Sequence, residues 1–417
     1  MAPPNPRGSN HGGDGVVLVV PLAPATGGNG LAMRAGMLLE ALAGRFAVDL
    51  VIVPVAGPAS DVTWAAGLAR SVVVVPPVDH STGLKHVTAQ LADATLRRRL
   101  RETAPLPARV AAAPPTLAGD AFRRLDPRVS PLRAVFVLRG YLPPFGCTLA
   151  RRLESPRVVV DLDDDDEALA RSMGDHEEAD AISRLARAWL PDADVVCAAS
   201  ADEARAIATR YDLPTVATVP NAVRRAPTIP PPPGDRRLLF VGNLTYPPNL
   251  EAAQILVHEI LPIVRRRHPE ASVDLVGPHT GRLPEADHVR VAGMVDSVEP
   301  WYRGADVVVV PLRHGGGTRI KVLEAFAYRR PVVATPRAVA GLLVTNGSDV
   351  LVAESAAGLA CHISGLFDGG GRGALLVEHA AHTFDAHYTL RVIAPLVWNL
   401  VEGEPIRDDR AAGEERA

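Results

Sequence analysis

Apolar positions along this chain fall in short unbroken runs, and stretches with a helical period separate the runs. Residues 16–23 (VVLVVPLA) make the first run and 48–56 (VDLVIVPVA) the second. A run with no polar alternation is what a strand covered on both faces requires. Between them, LAMRAGMLLEALAGR sets Leu31, Met37, Leu38 and Leu42 at helical spacing. Further strands are expected at 71–77, 134–140, 157–163, 193–200 and 215–220. Strands alternating with helices predict an α/β fold with a parallel sheet.

The pattern breaks at 222–236, AVRRAPTIPPPPGDR. Pro230 to Pro233 supply no N–H donors and cannot continue a helix, so this stretch reads as a semi-rigid linker. The alternation then restarts. A strand is expected at 238–244, then an amphipathic helix at 249–267 with a kink at Pro262. Strands follow at 272–278, 289–295, 306–312, 331–335 and 348–354. Helices are expected at 355–368, 374–386 and 389–402, the last kinked at Pro395. The chain therefore divides into an unstructured start (1–14), an α/β domain (15–221), the linker (222–236), a second α/β domain (237–386), a terminal helix (387–403) and a charged tail (404–417).

Composition narrows the function classes. The chain has 417 residues, 47% of them apolar, and a net charge of −3. That is enough apolar material for two cores, and the charge argues against a nucleic-acid binder. Cys147, Cys197 and Cys361 are far apart and have no metal-ligand spacing, as expected of free thiols in a reducing compartment. The opening MAPPNPRGSNHGGDG lacks an apolar signal core, and no apolar run nears the roughly 20 residues of a membrane span, so a cytoplasmic location is expected. Arginine-rich stretches at 96–102 and 264–270 leave open a weak peripheral contact with anionic lipid, although a solvated helix face is the commoner outcome.

Candidate chemistry concentrates at 305–335, ADVVVVPLRHGGGTRIKVLEAFAYRRPVVAT. It reads as strand, glycine turn, helix, strand. A helix entered through Gly315, Gly316 and Gly317 aims free N–H groups at one point and lets backbone approach a bulky anion, phosphate above all. Thr318 is placed to cap that helix or to bind a phosphate oxygen. Arg319 and Lys321 put positive charge in the first turn, which costs an isolated helix about 0.3–1 kcal/mol. A bound anion would reverse that sign. Only Lys85 and Lys321 are lysines, so a Lys here stands out. Glu324, three residues on, is either a surface ion-pair partner of Lys321 or a carboxylate for sugar hydroxyls. His314 abuts the glycines, as a donor contact or a plain turn residue. Gly27 and Gly28 open the first helix in the same manner, either for turn geometry or for a diphosphate contact. Asp161 to Asp166 (DLDDDD) follow a strand, either as a helix-initiating acidic turn or as a divalent metal site.

These strings, in their order, resemble a known family. GGGTRIKVLEAFAYRRPVVAT followed by AVAGL is similar to the donor-site segment of the group-one (family-four) nucleotide-sugar glycosyltransferases. LLFVGNLTYPPNLEAA, VPNAV (219–223) and VAGMVDSVEPWYRGADVVVVPL (291–312) resemble the family's flanking segments in the right order. The second domain matches almost throughout, the first mainly through its opening unit. The resemblance implies a GT-B fold: two Rossmann-like domains facing across a cleft, the first for the acceptor and the second for the donor. It implies a nucleoside-diphosphate sugar as co-substrate, no other cofactor, no metal, and retention of anomeric configuration. The terminal helix is expected to cross back onto the first domain.

In that frame the family often sets a basic pair after the Gly of this strand, but the segment from Gly242 and Asn243 to Asn249 has none, so Arg319 and Lys321 become the substitutes that stabilise the leaving diphosphate. Glu324 matches the second Glu of the family's Glu-seven-residues-Glu motif, which binds the ribose, whereas Gly316 replaces the first. Arg139 is the nearest counterpart of a first-domain His at the family's reaction centre. A nucleotide-sugar epimerase, or a catalytically silent sugar-nucleotide-binding subunit, remains open as an alternative. Base, sugar, acceptor and oligomeric state are not specified by these residues.

Overall fold

The computed structural model describes residues 14–59, 61–76, 113, 117–125, 131–226, 230–279, 281, 287–314 and 319–404. Its strands form two parallel sheets. The first contains β1 (Gly15–Val20), β2 (Ala47–Ile52), β3 (Ser71–Val74), β4 (Leu132–Leu138), β5 (Val158–Asp161), β6 (Val195–Ala198) and β7 (Val216–Thr218), in the order β3-β2-β1-β4-β5-β6-β7. The second contains β8 (Arg237–Val241), β9 (Ser272–Val276), β10 (Val289–Gly293), β11 (Val307–Val310), β12 (Val332–Ala334) and β13 (Leu351–Val352), in the order β10-β9-β8-β11-β12-β13. Strand order reverses between β1 and β4 in one sheet and between β8 and β11 in the other. A doubly wound sheet opens a crevice at such a switch point, beyond the carboxyl ends of the strands.

The unbroken apolar runs are explained by burial on both faces. Val17 and Val19 of β1 belong to one core, and Val16, Leu18 and Val20 to the core on the opposite face. In the second sheet Leu238 and Phe240 point one way and Leu239 the other. Several strands end before the apolar run does. Pro21, Pro54 and Pro311 lack the N–H that a ladder needs, so β1, β2 and β11 stop short of 23, 56 and 312.

Six helices carry cleft residues or tie the domains together: α1 (Gly30–Ala43), α2 (Asp166–Ser172), α3 (Ala201–Tyr211), α4 (Pro247–Ile255), α5 (Ile320–Ala327) and α6 (Leu390–Glu402). The expected kink at Pro262 takes a specific form. A π turn at Leu256–Ile260 comes after α4 and leads into a short helix at Leu261–Arg265. Pro262 withholds the N–H that the His258 carbonyl would otherwise receive, and the widened turn lies directly before it. Pro395 sits inside α6.

The linker is tied to the second domain. Buried Arg330 donates to the carbonyls of Tyr302 (2.6 Å), Pro230 (2.9 Å) and Arg303 (3.0 Å). Asp306 accepts from the N–H groups of Gly234 and Arg237 at 2.6 and 2.9 Å. The terminal helix α6 packs on the first domain. Ile393, Val397, Leu400 and Val401 join the core beneath α1, and Trp398 Nε1 donates to the Ala41 carbonyl at 2.6 Å. Cys147 and Cys197 are buried and Cys361 is exposed, all as free thiols. Of the two arginine-rich stretches, 96–102 lies outside the described residues, and in the other Arg267 pairs with Asp368 at 2.8 Å. Among the described residues no helix is long and apolar enough to cross a membrane.

The packing of α6 sets a stability test. Leu400 is 2% exposed in the first-domain core. Leu400→Ala is expected to cost about 2–5 kcal/mol, the range for opening such a cavity, measured by urea unfolding of the whole chain.

Candidate functional site

The candidate residues named from sequence collect at the carboxyl ends of the strands. Gly27 and Gly28 follow β1, Arg139 follows β4, the acidic turn follows β5, Gly242 and Asn243 follow β8, and His314 follows β11. Gly28 has φ 88°, a left-handed value that glycine accepts at no steric cost. Both glycines are exposed, and a side chain at either would meet open space. Asn29 then caps α1, its Oδ1 accepting from Leu31 N–H at 2.9 Å.

The two domains meet where α1 and α5 begin. A methyl group on Gly30 would lie 3.5 Å from Ile320 Cδ1, so the amino ends of these helices converge. Neither helix carries an acidic side chain in its first turn. Arg319, not Thr318, occupies the N-cap position of α5, because the helix starts one residue later than the sequence suggested. The cap makes no side-chain hydrogen bond to the helix. Two helix ends with unneutralised N–H dipoles favour a negative charge between them. Gly315, Gly316, Gly317 and Thr318 lie outside the described residues.

On the second-domain side the long-range packing is specific. Lys321 lies across Gly242: a Cβ there would be 2.9 Å from Lys321 Cε and 3.2 Å from Asn249 Nδ2. Asn249 in turn donates to the Asn243 carbonyl at 2.8 Å. Gly242 is thus the residue that makes room for the lysine. Burial pulls the Lys321 ammonium down to about 8, against the pull of Glu324. Glu324 is 8% exposed, so it is not a surface ion-pair partner. Burial pushes its carboxyl up to about 7, with Lys321 and the Tyr302 hydroxyl opposing. Tyr302 donates to Glu324 Oε2 at 3.4 Å and stacks on Tyr328 with ring centroids 4.4 Å apart. His314 is exposed, with Nε2 3.9 Å from Glu251 Oε1. Arg319 is half-buried. Desolvation lowers its pKa, and Glu203 and Asp164 of the first domain are the acids that hold its charge.

The acidic turn is bound by arginines. Arg34, fully buried in α1, grips Asp161 through Nε (3.0 Å) and Nη2 (2.8 Å) and donates from Nη1 to the Val219 carbonyl at 2.9 Å. Asp165 caps α2 by accepting from Ala168 N–H at 2.9 Å and also pairs with Arg210. Arg139 stands in the left-handed region at φ 83° and pairs with Asp163 (3.3 Å) and with Asp166. Burial works against its charge, but Asp166, Tyr141 and Asp163 outweigh it and push the guanidinium well above its usual range. Among the described residues no group of three or more His, Cys, Asp or Glu is placed to hold a metal ion. Arg34, Glu203, Tyr246, Asn249 and Tyr302 were not picked out from sequence. Only Arg34 left a signal, as a lone charge in an otherwise apolar stretch of helix.

Residues 235–368 match the sequence model of a family described as glycosyl transferases group 1. A curated relative, D-inositol 3-phosphate glycosyltransferase 2 of Catenulispora acidiphila, is 31% identical over 252 aligned residues, 54% of this chain. The second domain is thus similar to the group 1 glycosyl transferases. The match spans only 58% of that relative's length. The architecture of the chain is GT-B. Anabaena HepE, solved with UDP and glucose, superposes with a TM-score of 0.61 at 14% identity, covering 92% of this chain and 98% of that one. Sucrose-phosphate synthase of Thermosynechococcus elongatus gives 0.67 at 16% identity, with 94% and 98% covered. At such identities the likeness speaks for the fold.

The buried carboxyl of Glu324 carries a pH signature. Its pKa is about 7 when folded, against an ordinary 4.5. Between these values the folded protein keeps a proton that the unfolded chain releases, so stability falls as pH rises through the window. Lys321 titrates higher and stays protonated there. Glu324→Gln is therefore expected to gain stability relative to wild type between pH 4.5 and 7.5, by on the order of 3 kcal/mol, as read by denaturant midpoints along a pH series.

Proposed function

We propose that this chain transfers a sugar from a nucleoside-diphosphate sugar to an acceptor hydroxyl, with retention of anomeric configuration and without a metal ion. The observation that carries the reading is the convergence of the amino ends of α1 and α5 beside Lys321. That arrangement supplies oriented N–H dipoles and a cation at one point, which is what a diphosphate asks of a protein.

The roles follow from position. The diphosphate takes the helix ends, with Lys321 and Arg319 as cations and Gly27 and Gly28 beside it; the phosphate role of the 315–317 segment and Thr318 rests on sequence alone. Gly242 and Asn243 form the floor under Lys321, and His314 borders the same end of β11. Glu324 accepts hydrogen bonds from the ribose hydroxyls. The acceptor oxygen bonds to the anomeric carbon as the bond from that carbon to the diphosphate oxygen breaks. The diphosphate leaves with the electron pair and takes up the acceptor proton. Groups that stabilise the leaving charge then do the catalytic work, and no protein nucleophile is needed. The lowered pKa of Lys321 fits this, because a bound diphosphate restores the ammonium. The name of the curated relative and the UDP bound by HepE support the donor class.

Thermal-shift screening against UDP, GDP, dTDP and ADP sugars is expected to find at least one that raises the melting temperature. Glu324→Ala should weaken that ligand about tenfold to a hundredfold, the loss expected for hydrogen bonds to a charged group, measured by calorimetry. Unchanged affinity would remove Glu324 from the ribose site. Sugar transfer should persist in EDTA. Loss of turnover with recovery on adding manganese would overturn the metal-independent mechanism.

A further inference from the structure

The turn after β5 buries charged groups whose hydrogen-bonding capacity is not used up. Asp164 is 8% exposed, and its Oδ1 accepts no hydrogen bond from any described residue. Arg139 is 7% exposed. Its two terminal nitrogens serve Asp163 and Asp166, but its Nε donates to no described residue. Buried polar atoms are nearly always paired, so an orphan acceptor and an orphan donor in one turn call for a reason.

Both groups lie at carboxyl ends of strands, Arg139 after β4 and Asp164 after β5, within electrostatic reach of the second domain. Tyr246, just after β8, has its hydroxyl pushed up to about 12 by burial, with Asp164 adding to the rise and Arg139 opposing it. Arg319 likewise feels Asp164. Their place after β4 and β5, beside the switch point between β1 and β4, sets Asp164 and Arg139 on the first-domain side of the cleft.

The chemistry of the pair defines what fits it. A hydroxyl gives one hydrogen bond and accepts two, so it can donate to Asp164 and accept from Arg139 at once. A phosphate or carboxylate has no proton to give Asp164 and meets like charge. An ammonium group satisfies Asp164 and leaves Arg139 unserved. The wider field has the same bias. Asp161, Asp163, Asp164, Asp165, Asp166 and Glu203 gather here against Arg34, Arg139 and Arg210 of the same domain.

Resting on the transferase reading above, we propose that Asp164 and Arg139 hold the acceptor, taking a hydroxyl of an uncharged sugar or polyol and turning away acceptors that carry a phosphate or carboxylate beside it. In this respect the chain would part from its curated relative, whose name specifies a phosphorylated inositol. Burial, with Asp166, Asp163 and Glu203 nearby and Arg139 opposing, holds the Asp164 carboxyl up at about 7, which is consistent with a group kept in a costly state for use.

The test follows release of nucleoside diphosphate from UDP-, GDP-, dTDP- and ADP-glucose with matched acceptors: methyl glucoside against glucose 6-phosphate, and myo-inositol against inositol 3-phosphate. A neutral member should accelerate release at least tenfold more than its phosphorylated partner. Asp164→Asn, which preserves shape and is checked for folding by its melting temperature, should raise the acceptor KM at least tenfold. Its kcat at saturating acceptor and its diphosphate affinity should stay within twofold. Arg139→Lys, which keeps the charge but loses Nε, should also raise the acceptor KM. Equal or better use of a phosphorylated acceptor, no acceleration by either neutral one, or an unchanged KM in Asp164→Asn overturns the acceptor assignment. Failure of wild type to bind any of the four nucleoside diphosphates refutes the transferase reading itself, so the two failures are distinguishable.

Discussion

The fully buried pair of Arg34 and Asp161 fixes the first-domain half of the cleft. Its guanidinium reaches from α1 to the end of β5 and to the carbonyl of Val219, so three separate chain segments share one cation. Burial alone would lower Arg34, but Asp161 and Asp163 overcome it. Losing one partner of such a pair leaves an uncompensated charge, a cost of about 3–5 kcal/mol. The amino end of α1 and the acidic turn after β5 are thereby indexed to each other. The wall that faces the second domain keeps its shape for that reason. α1 also reaches beyond its own domain, since Met33 packs into the core formed around α5 and β11.

Much of the fold was legible in the residue pattern because two-face burial writes an unambiguous signature. Unbroken runs such as 16–20 and 307–310 had to be strands of a covered parallel sheet, and the prolines that come after them decided where the ladders end. The site was legible only in its local part. Glycines, Lys321 and Glu324 lie within a few residues of each other, so their spacing could be reasoned about. The fit of Lys321 over Gly242 joins residues about 80 positions apart, and no local pattern announces it. The acidic turn was legible as a helix start, which Asp165 caps, but not in its pairing. A run of aspartates looks like a cation site, but three arginines from distant elements occupy it. The burial that distinguishes Asp164 from its neighbours is a tertiary property.

The two walls of the cleft have opposite electrical character. The amino end of α5, Lys321 and Arg319 make the second-domain side receptive to anions, and the turn after β5 makes the first-domain side acidic. Glu324, Asp164 and Lys321 are drawn by desolvation to about 7, 7 and 8, near neutrality from both directions. Groups held in that range change charge readily when a ligand arrives, which is why such values gather where binding and chemistry occur.

The backbone passes between the domains twice, once at the linker and once at the return into α6. At these passages Val223 N–H donates to the Tyr388 carbonyl at 3.1 Å. Arg225 pairs with Asp385 beside that bond, so the two covalent crossings are tied to each other and form a natural pivot. Rotation about that point separates the cleft walls while leaving both sheets intact, whereas sliding one domain along the other would have to break the staple. The place where the chain crosses itself is thereby the joint about which the cleft would widen or narrow.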